Sequence, residues 1–233
     1  MKKITILLAF LTLVASPTVW AQCSTSAWDD IKGGTDPVVA NTNNPLSGAC
    51  SLEVPVTTGK RHVEDQMSQE TSFRASFQID PNSIDIPTAG SGRKIKVHNA
   101  QCAGGCSAYN SVDWFQAKLR KNPGVYKLGI WAREADGNKL NVSLDLVDGC
   151  NTVEYQLIAG NPGTFRVWVN NSVEGSPDFE VTNADFTGRY TDRARIGRMG
   201  QGVNINANAT GEAFYLDTFE SRRQTFIGNT CSP

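Results

Sequence analysis

The chain has few of the groups that usually announce a chemistry. Only two histidines, His62 and His98, occur in 233 residues. The cysteines form no C-x-x-C pair, and without that spacing or nearby histidine ligands a zinc site is not expected. After the N-terminal leader no apolar run is long enough to cross a bilayer as a helix, so no membrane insertion is expected. Helical periodicity, heptads and internal repeats are missing, which argues against bundles, coiled coils and solenoids. Basic charge is not in excess either. The formal net charge is −1, and acidic residues are interleaved with the basic ones, so no nucleic-acid partner is expected.

What is present begins with residues 1–21. Lys2 and Lys3 precede an apolar run from Ile4 to Val14, and Val19-Trp20-Ala21 has the small residue of a cleavage site. This is the pattern of a secretory signal peptide, and it predicts a secreted or periplasmic mature chain, residues 22–233, as one domain. Six cysteines remain: Cys23, Cys50, Cys102, Cys106, Cys150 and Cys231. An even number in an exported chain predicts disulfides. Cys102-Ala-Gly-Gly-Cys106 is the easiest local pair. The other four are expected to tie the termini to the body, with Cys23–Cys50 and Cys150–Cys231 as one arrangement.

Short alternating segments between turn residues predict an all-β, two-sheet antiparallel β-sandwich. The clearest run is Trp114–Arg120, Gly124–Arg133, Lys139–Val147, Thr152–Ile158 and Thr164–Asn170, separated by KNPG, ADG, DGCN and AGNPG. Read as one meander, it lines up apolar rows such as Ala117–Leu128–Leu144–Tyr155–Val167 on a single face. The opposite face then gathers Trp114, Trp131, Trp168, Gln116, Asn141, Gln156 and Arg166, with Gly129 leaving a dip. Flat aromatics beside amides and a guanidinium suit a sugar: rings stack on its C–H face and polar groups bond its hydroxyls. In this register Trp114 lies opposite Trp131. Asp145 and Glu154 also fall side by side, about 5 Å apart at Cβ. Such a pair could divide acid and nucleophile roles in glycoside hydrolysis, but a charge ladder with Lys127 and Arg166 is the simpler reading. His62 and His98 have no evident partner and read as surface or loop histidines. Arg189, Arg193, Arg195, Arg198, Arg222 and Arg223 form a basic group that would suit an acidic glycan, though most of it reads as salt-bridged surface.

Several motifs carry a resemblance. Ser26-Ala-Trp28, Ser72-Phe-Arg-Ala-Ser-Phe-Gln-Ile-Asp80-Pro81, Phe115-Gln-Ala-Lys-Leu-Arg120, Ala194-Arg-Ile-Gly197 and Gly211-Glu-Ala-Phe-Tyr-Leu-Asp217-Thr-Phe-Glu-Ser-Arg222-Arg223 follow one another in that order. Together they resemble the bacterial LamG-like, concanavalin A-like jelly-roll domains over essentially the whole mature chain. The resemblance implies a jelly roll with one curved, concave sheet. It leaves function open, since that superfamily holds lectins, carbohydrate-binding modules, glycan hydrolases, polysaccharide lyases and adhesion domains. The Glu-x-Asp-x-x-Glu signature of laminarinase-type hydrolases is missing. So are the Arg-rich and Gln-x-His strands of the alginate-lyase relatives. In similar binding modules an aspartate on the last strand and an acid near the N-terminus hold a structural Ca²⁺, which implies Asp217 with Asp29 or Asp30. The segment from Asn99 to Asn110 reads as an insert that covers one side of the site. The expectation is therefore an exported carbohydrate-binding domain for a polysaccharide or cell-surface glycan, without catalysis. A secreted hydrolase or lyase and an adhesion scaffold are the alternatives.

Overall fold

The computed structural model describes residues 24–33, 39–56, 59–87, 94–106, 112–200, 212–222 and 224–231. After one short 3-10 turn, Thr25–Ala27, these residues form strands and loops only. The first strands are β1 (Asp30–Lys32), β2 (Val39–Asn41), β3 (Ser51–Pro55), β4 (Arg61–Glu70) and β5 (Ser72–Asp80). Then come β6 (Ile95–Gln101), β7 (Asp113–Asn122), β8 (Val125–Arg133) and β9 (Lys139–Leu146). The last are β10 (Asn151–Ile158), β11 (Gly160–Val169), β12 (Phe179–Phe186), β13 (Thr191–Met199) and β14 (Ala213–Arg222). Sheet A has the order β1-β4-β13-β6-β7-β8-β9, and sheet B the order β12-β11-β10-β5-β14-β3-β2. The expected all-β sandwich is what the chain forms.

The core lies between the sheets. Phe115, Ala117, Leu128 and Ile130 of sheet A meet Phe73, Phe77, Tyr155 and Phe165 of sheet B. Phe115 and Tyr155 stack across the gap with centroids 3.8 Å apart. The sheet A residues and Tyr155 are on the apolar faces that alternation assigned, and β5 turns Phe73, Ala75, Phe77 and Ile79 inward.

The five-strand meander is not one ribbon. β7, β8 and β9 belong to sheet A, while β10 and β11 belong to sheet B. The chain crosses between sheets at Asp148–Cys150. Asn151 secures the crossing: its Oδ1 accepts from the Val147 N–H (2.9 Å), and its Nδ2 donates to the carbonyls of Val147 (2.9 Å) and Gly149 (2.7 Å). One side chain thus satisfies backbone groups that a β9–β10 hairpin would otherwise pair. The β8–β9 and β10–β11 registers agree with the sequence reading. The β7–β8 register is displaced by two residues, with Leu119 rather than Ala117 opposite Leu128. The turn is the tight pair Pro123-Gly124, and Gly124 takes a φ of 76°. A shift of two preserves which side chains face the core.

The disulfides Cys102–Cys106 and Cys150–Cys231 form. Cys50 is also disulfide-bonded, and Cys23, its expected partner, lies outside the described residues, as does the leader. No described helix is long and apolar enough to cross a membrane.

Candidate functional site

The outer face of sheet A carries a polar row that crosses all seven strands: Asp30, Glu64, Arg195, Asn99, Gln116, Trp131 and Asn141. Their neighbours of opposite parity, among them Val63, Ile196, Ala100, Ala117 and Ile130, lie in the core, so the row looks away from sheet B. At the usual strand spacing it is about 29 Å long. Asn99 and Gln116 within it are fully buried, as is Gln101 beside it, which marks a recess rather than a flat surface.

Two β-bulges build the recess. Between β6 and β7, Lys96 pairs with Lys118 but His98 pairs with Ala117, so β6 has one extra residue there. Farther along, Ala100 pairs with Phe115 and Gln101 with Asp113, so Trp114 is the extra residue on β7. Each bulge reverses the parity beyond it. The first turns His98 inward and Asn99 outward. The second brings Asp113 to the outer face and sends Trp114 into the core.

Two carboxylates organise the recess. Glu64 is buried and pairs with two arginines: Arg195 Nε donates a hydrogen bond to it at 2.6 Å, and Arg193 Nε forms an ion pair at 2.9 Å without hydrogen-bond geometry. The terminal nitrogens of both guanidiniums make no hydrogen bond among the described residues, and both side chains are partly exposed. Two forks are therefore oriented in advance for anionic oxygens. Asp113 accepts from Lys96 Nζ (2.9 Å), Asn99 Nδ2 (2.7 Å), Gln101 Nε2 (2.5 Å) and Gln116 Nε2 (2.9 Å). Burial pushes the Asp113 carboxyl up, but Lys96 and the amide donors outweigh it and hold it below the ordinary range. The Lys118 ammonium is pushed down by burial and by Lys96, Lys139 and Lys94. Burial and Arg133 do the same to Lys139. Crowded cations favour a ligand that brings negative charge. Trp131 is shielded by Lys139 and Arg133, which sit 4.5 and 5.0 Å from its ring centroid. Gly129 does leave space, because a Cβ there would meet only ordinary contacts with Lys118 and Arg120. His62 shares this face but is buried within β4, not at the surface or in a loop as expected. Burial, Arg195 and Lys60 lower its pKa to about 4, and its ring nitrogens have no well-formed hydrogen bond beyond a weak contact with the Arg198 backbone.

The expected platform is thereby divided. Gln116, Trp131 and Asn141 are together on sheet A. Trp114 is in the core, edge-on to Phe186, with its indole N–H donating to Thr191 at 2.9 Å. Trp168, Gln156 and Arg166 lie on the outer face of sheet B, on the other side of the molecule. There the C-terminal segment covers them: Phe226 packs on Trp168, which is 1% exposed, and Arg74 lies 5.1 Å from the same ring. Arg166 pairs with Glu180 and with Gln156. The C-terminal segment supplies this cover; of the expected insert, Asn99–Gln101 belongs to β6, and residues 107–111 lie outside the described ones.

Asp145 and Glu154 are not neighbours either. Asp145 pairs with Lys127 on sheet A. Glu154 is buried on sheet B and accepts the backbone N–H groups of Ile227 (3.1 Å) and Gly228 (2.8 Å). The structure does not bring together Asp217 and Asp30. Asp217 accepts from the N–H groups of Ser47 (2.9 Å) and Thr218 (2.7 Å) on sheet B, and Asp30 pairs with Lys32 on sheet A. Asp29 accepts from the Gln66 N–H. Of the basic group, Arg193 and Arg195 reach the recess. Arg189 and Arg198 are buried and donate to the carbonyls of Glu134 and Gly59. Arg223 lies outside the described residues.

Sequence reading missed Glu64, Asn99, Gln101, Asp113 and the lysines around them. Alternation around Val63 was available for Glu64. For Asn99 and Asp113 it pointed the wrong way, because neither bulge carries a glycine or proline.

A sandwich of this topology with a polar recess across one sheet is a jelly roll. No family model matches the chain, and no curated protein does. Among solved structures it is similar to an endo-β-1,4-glucuronan lyase from the fungus Trichoderma reesei, with a TM-score of 0.54 and 14% identity over 84% of this chain and 89% of that one. An alginate lyase from Pseudomonas aeruginosa matches with a TM-score of 0.53 and 12% identity, covering 82% and 87%. The binding domain of botulinum neurotoxin serotype G matches with a TM-score of 0.55 and 10% identity, but this chain spans only 44% of that one. At these identities the likeness establishes the fold.

Proposed function

We propose that the protein is exported and binds an acidic, uronate-bearing polysaccharide along the outer face of sheet A. The observation that carries this reading is the pair of guanidinium forks, Arg193 and Arg195, paired with one buried carboxylate and without hydrogen bonds at their tips among the described residues. The crowded lysines beside them act in the same direction, although the chain as a whole is slightly acidic. The named substrates of two similar folds, glucuronan and alginate, are polyuronates. The leader and the disulfides support export. Titration calorimetry against alginate, polyglucuronate and a neutral β-glucan tests the reading. The acidic polymers should bind and weaken as salt rises, while the neutral glucan should not bind. Arg195→Gln should lower affinity for the acidic polymers roughly tenfold, the loss of one charge-assisted hydrogen bond. Equal binding of the neutral glucan would falsify it.

One observation favours a second, catalytic reading on the same face. His62 is neutral at pH 7 and has no strong hydrogen bond among the described residues to occupy it. A neutral imidazole beside a carboxylate clamp can remove the proton next to a bound uronate carboxylate. The electron pair then forms a C=C bond as the glycosidic C–O bond breaks, and the proton held by His62 passes to the leaving oxygen. Such cleavage makes an ultraviolet-absorbing product. Its formation by the wild type, and its loss in His62→Ala with binding retained, would establish a lyase. No absorbance change with any polyuronate leaves binding alone.

A further inference from the structure

We infer that Asp113 sets the hydrogen-bonding polarity of this recess, turning the carboxamides of Asn99, Gln101 and Gln116 so that their carbonyl oxygens receive ligand hydroxyls. The inference rests on the acidic-polysaccharide reading. It adds what selects among acidic polymers, namely free hydroxyl groups beside the carboxylates.

An ionised carboxylate can only accept hydrogen bonds. All three amides bond Asp113, so each must turn its NH₂ group toward it. Amide orientation is usually ambiguous, but here the shared carboxylate decides it. The carbonyl oxygens are left pointing elsewhere. Asn99 Oδ1 and Gln101 Oε1 are buried and have no hydrogen-bond partner among the described residues. A buried acceptor without a donor is unfavourable, and a hydroxyl satisfies it where an anionic oxygen would be repelled. The anion sites lie one strand away, since Arg195 pairs with Asn99 and Arg193 with Gln101. Acceptors for hydroxyls thus run parallel to donors for carboxylates. A uronic acid ring carries both groups, whereas a fully O-substituted polyanion carries only the charge.

The test compares two polymers of equal charge, an unsubstituted polyuronate and the same polymer with its hydroxyls methylated. Wild-type protein should bind the unsubstituted polymer at least roughly tenfold more tightly. In Asp113→Asn the side chain both donates and accepts, so neighbouring amides are free to flip. The affinity ratio should fall toward one, whatever happens to the absolute affinity. Gln101→Met removes one acceptor at similar volume and should lower the ratio in the same direction, and it keeps the test open if Asp113→Asn does not fold. A damaged fold would weaken both polymers alike without changing the ratio. A wild-type ratio of one, or a ratio unchanged in folded variants, overturns the inference and leaves acidic-polysaccharide binding standing. No binding of either polymer by the wild type removes both.

Discussion

His98 illustrates how one residue escapes its sequence. Two histidines without partners suggested surface positions, yet His98 is fully buried among Phe77, Phe115, Tyr155 and Phe219. Its Nδ1 is 2.7 Å from the Arg195 carbonyl, which can only accept, so Nδ1 carries the proton. Nε2 then accepts from the Tyr155 hydroxyl at 2.6 Å. Burial lowers the pKa of His98 to about 4, against 6.5 for an ordinary imidazole. Between those values the unfolded chain binds a proton that the folded chain refuses. The His98 contribution to stability should therefore be complete above pH 6.5, fall as the pH drops toward 4, and level off below that. His98 alone accounts for about 3 kcal/mol of this loss, and His62 shifts in the same direction. Denaturant titrations from pH 7 to pH 4 measure the slope, and His98→Gln should reduce it. A stability that stays flat over this range would show that His98 titrates normally.

At the scale of elements, alternation identified most strands and their core-facing residues, but the bulges on β6 and β7 decided the recess. Parity alone placed Trp114 outward and left Asp113 and Asn99 unnoticed. Each bulge is recorded in the pairing of two strands and in neither strand separately. A third irregularity, on β13, depends on a glycine. Gly197 has a φ of 128°, and a Cβ there would lie 2.4 Å from the Arg61 carbonyl and 2.6 Å from the His62 Cα. Both obstacles are backbone of β4, so neither can rotate aside. Gly197→Ala should cost about 3 kcal/mol, seen as a lower urea midpoint with an unchanged slope. An unaltered midpoint would mean that β4 and β13 are less closely apposed than this.

For the molecule as a whole, the two outer faces have different fates. On sheet A the polar row is the face proposed to take a ligand. On sheet B the chain's own C-terminal segment occupies the equivalent face. Glu154 receives the Ile227 and Gly228 N–H groups, the Gln78 Nε2 amide donates to the Thr230 hydroxyl oxygen, and Cys231 is joined to Cys150. That disulfide links residues 81 apart in sequence. Replacing both cysteines by serine should cost about 4 kcal/mol by the loop-entropy relation. It should also release the segment from Trp168, making its fluorescence accessible to iodide or acrylamide. Unchanged quenching in a folded double variant would show that packing alone holds the segment.

The sequence by itself determined most of the strands, though not β2, which falls in an expected loop, or β4, together with most of their core-facing residues and the cysteines of the two described disulfides, because alternation, turn residues and cysteine count are local or compositional quantities. The core faces survived a β7–β8 register displaced by two, since that shift leaves parity intact. Only the tertiary structure decided which sheet each strand joined. Alternation of period two is the same whether the next strand lies beside its predecessor or across the core from it, and the DGCN segment serves either path. The division of the expected aromatic platform between two opposite faces follows from that one crossing, and the recess that replaces it follows from bulges that exist only when strands pair.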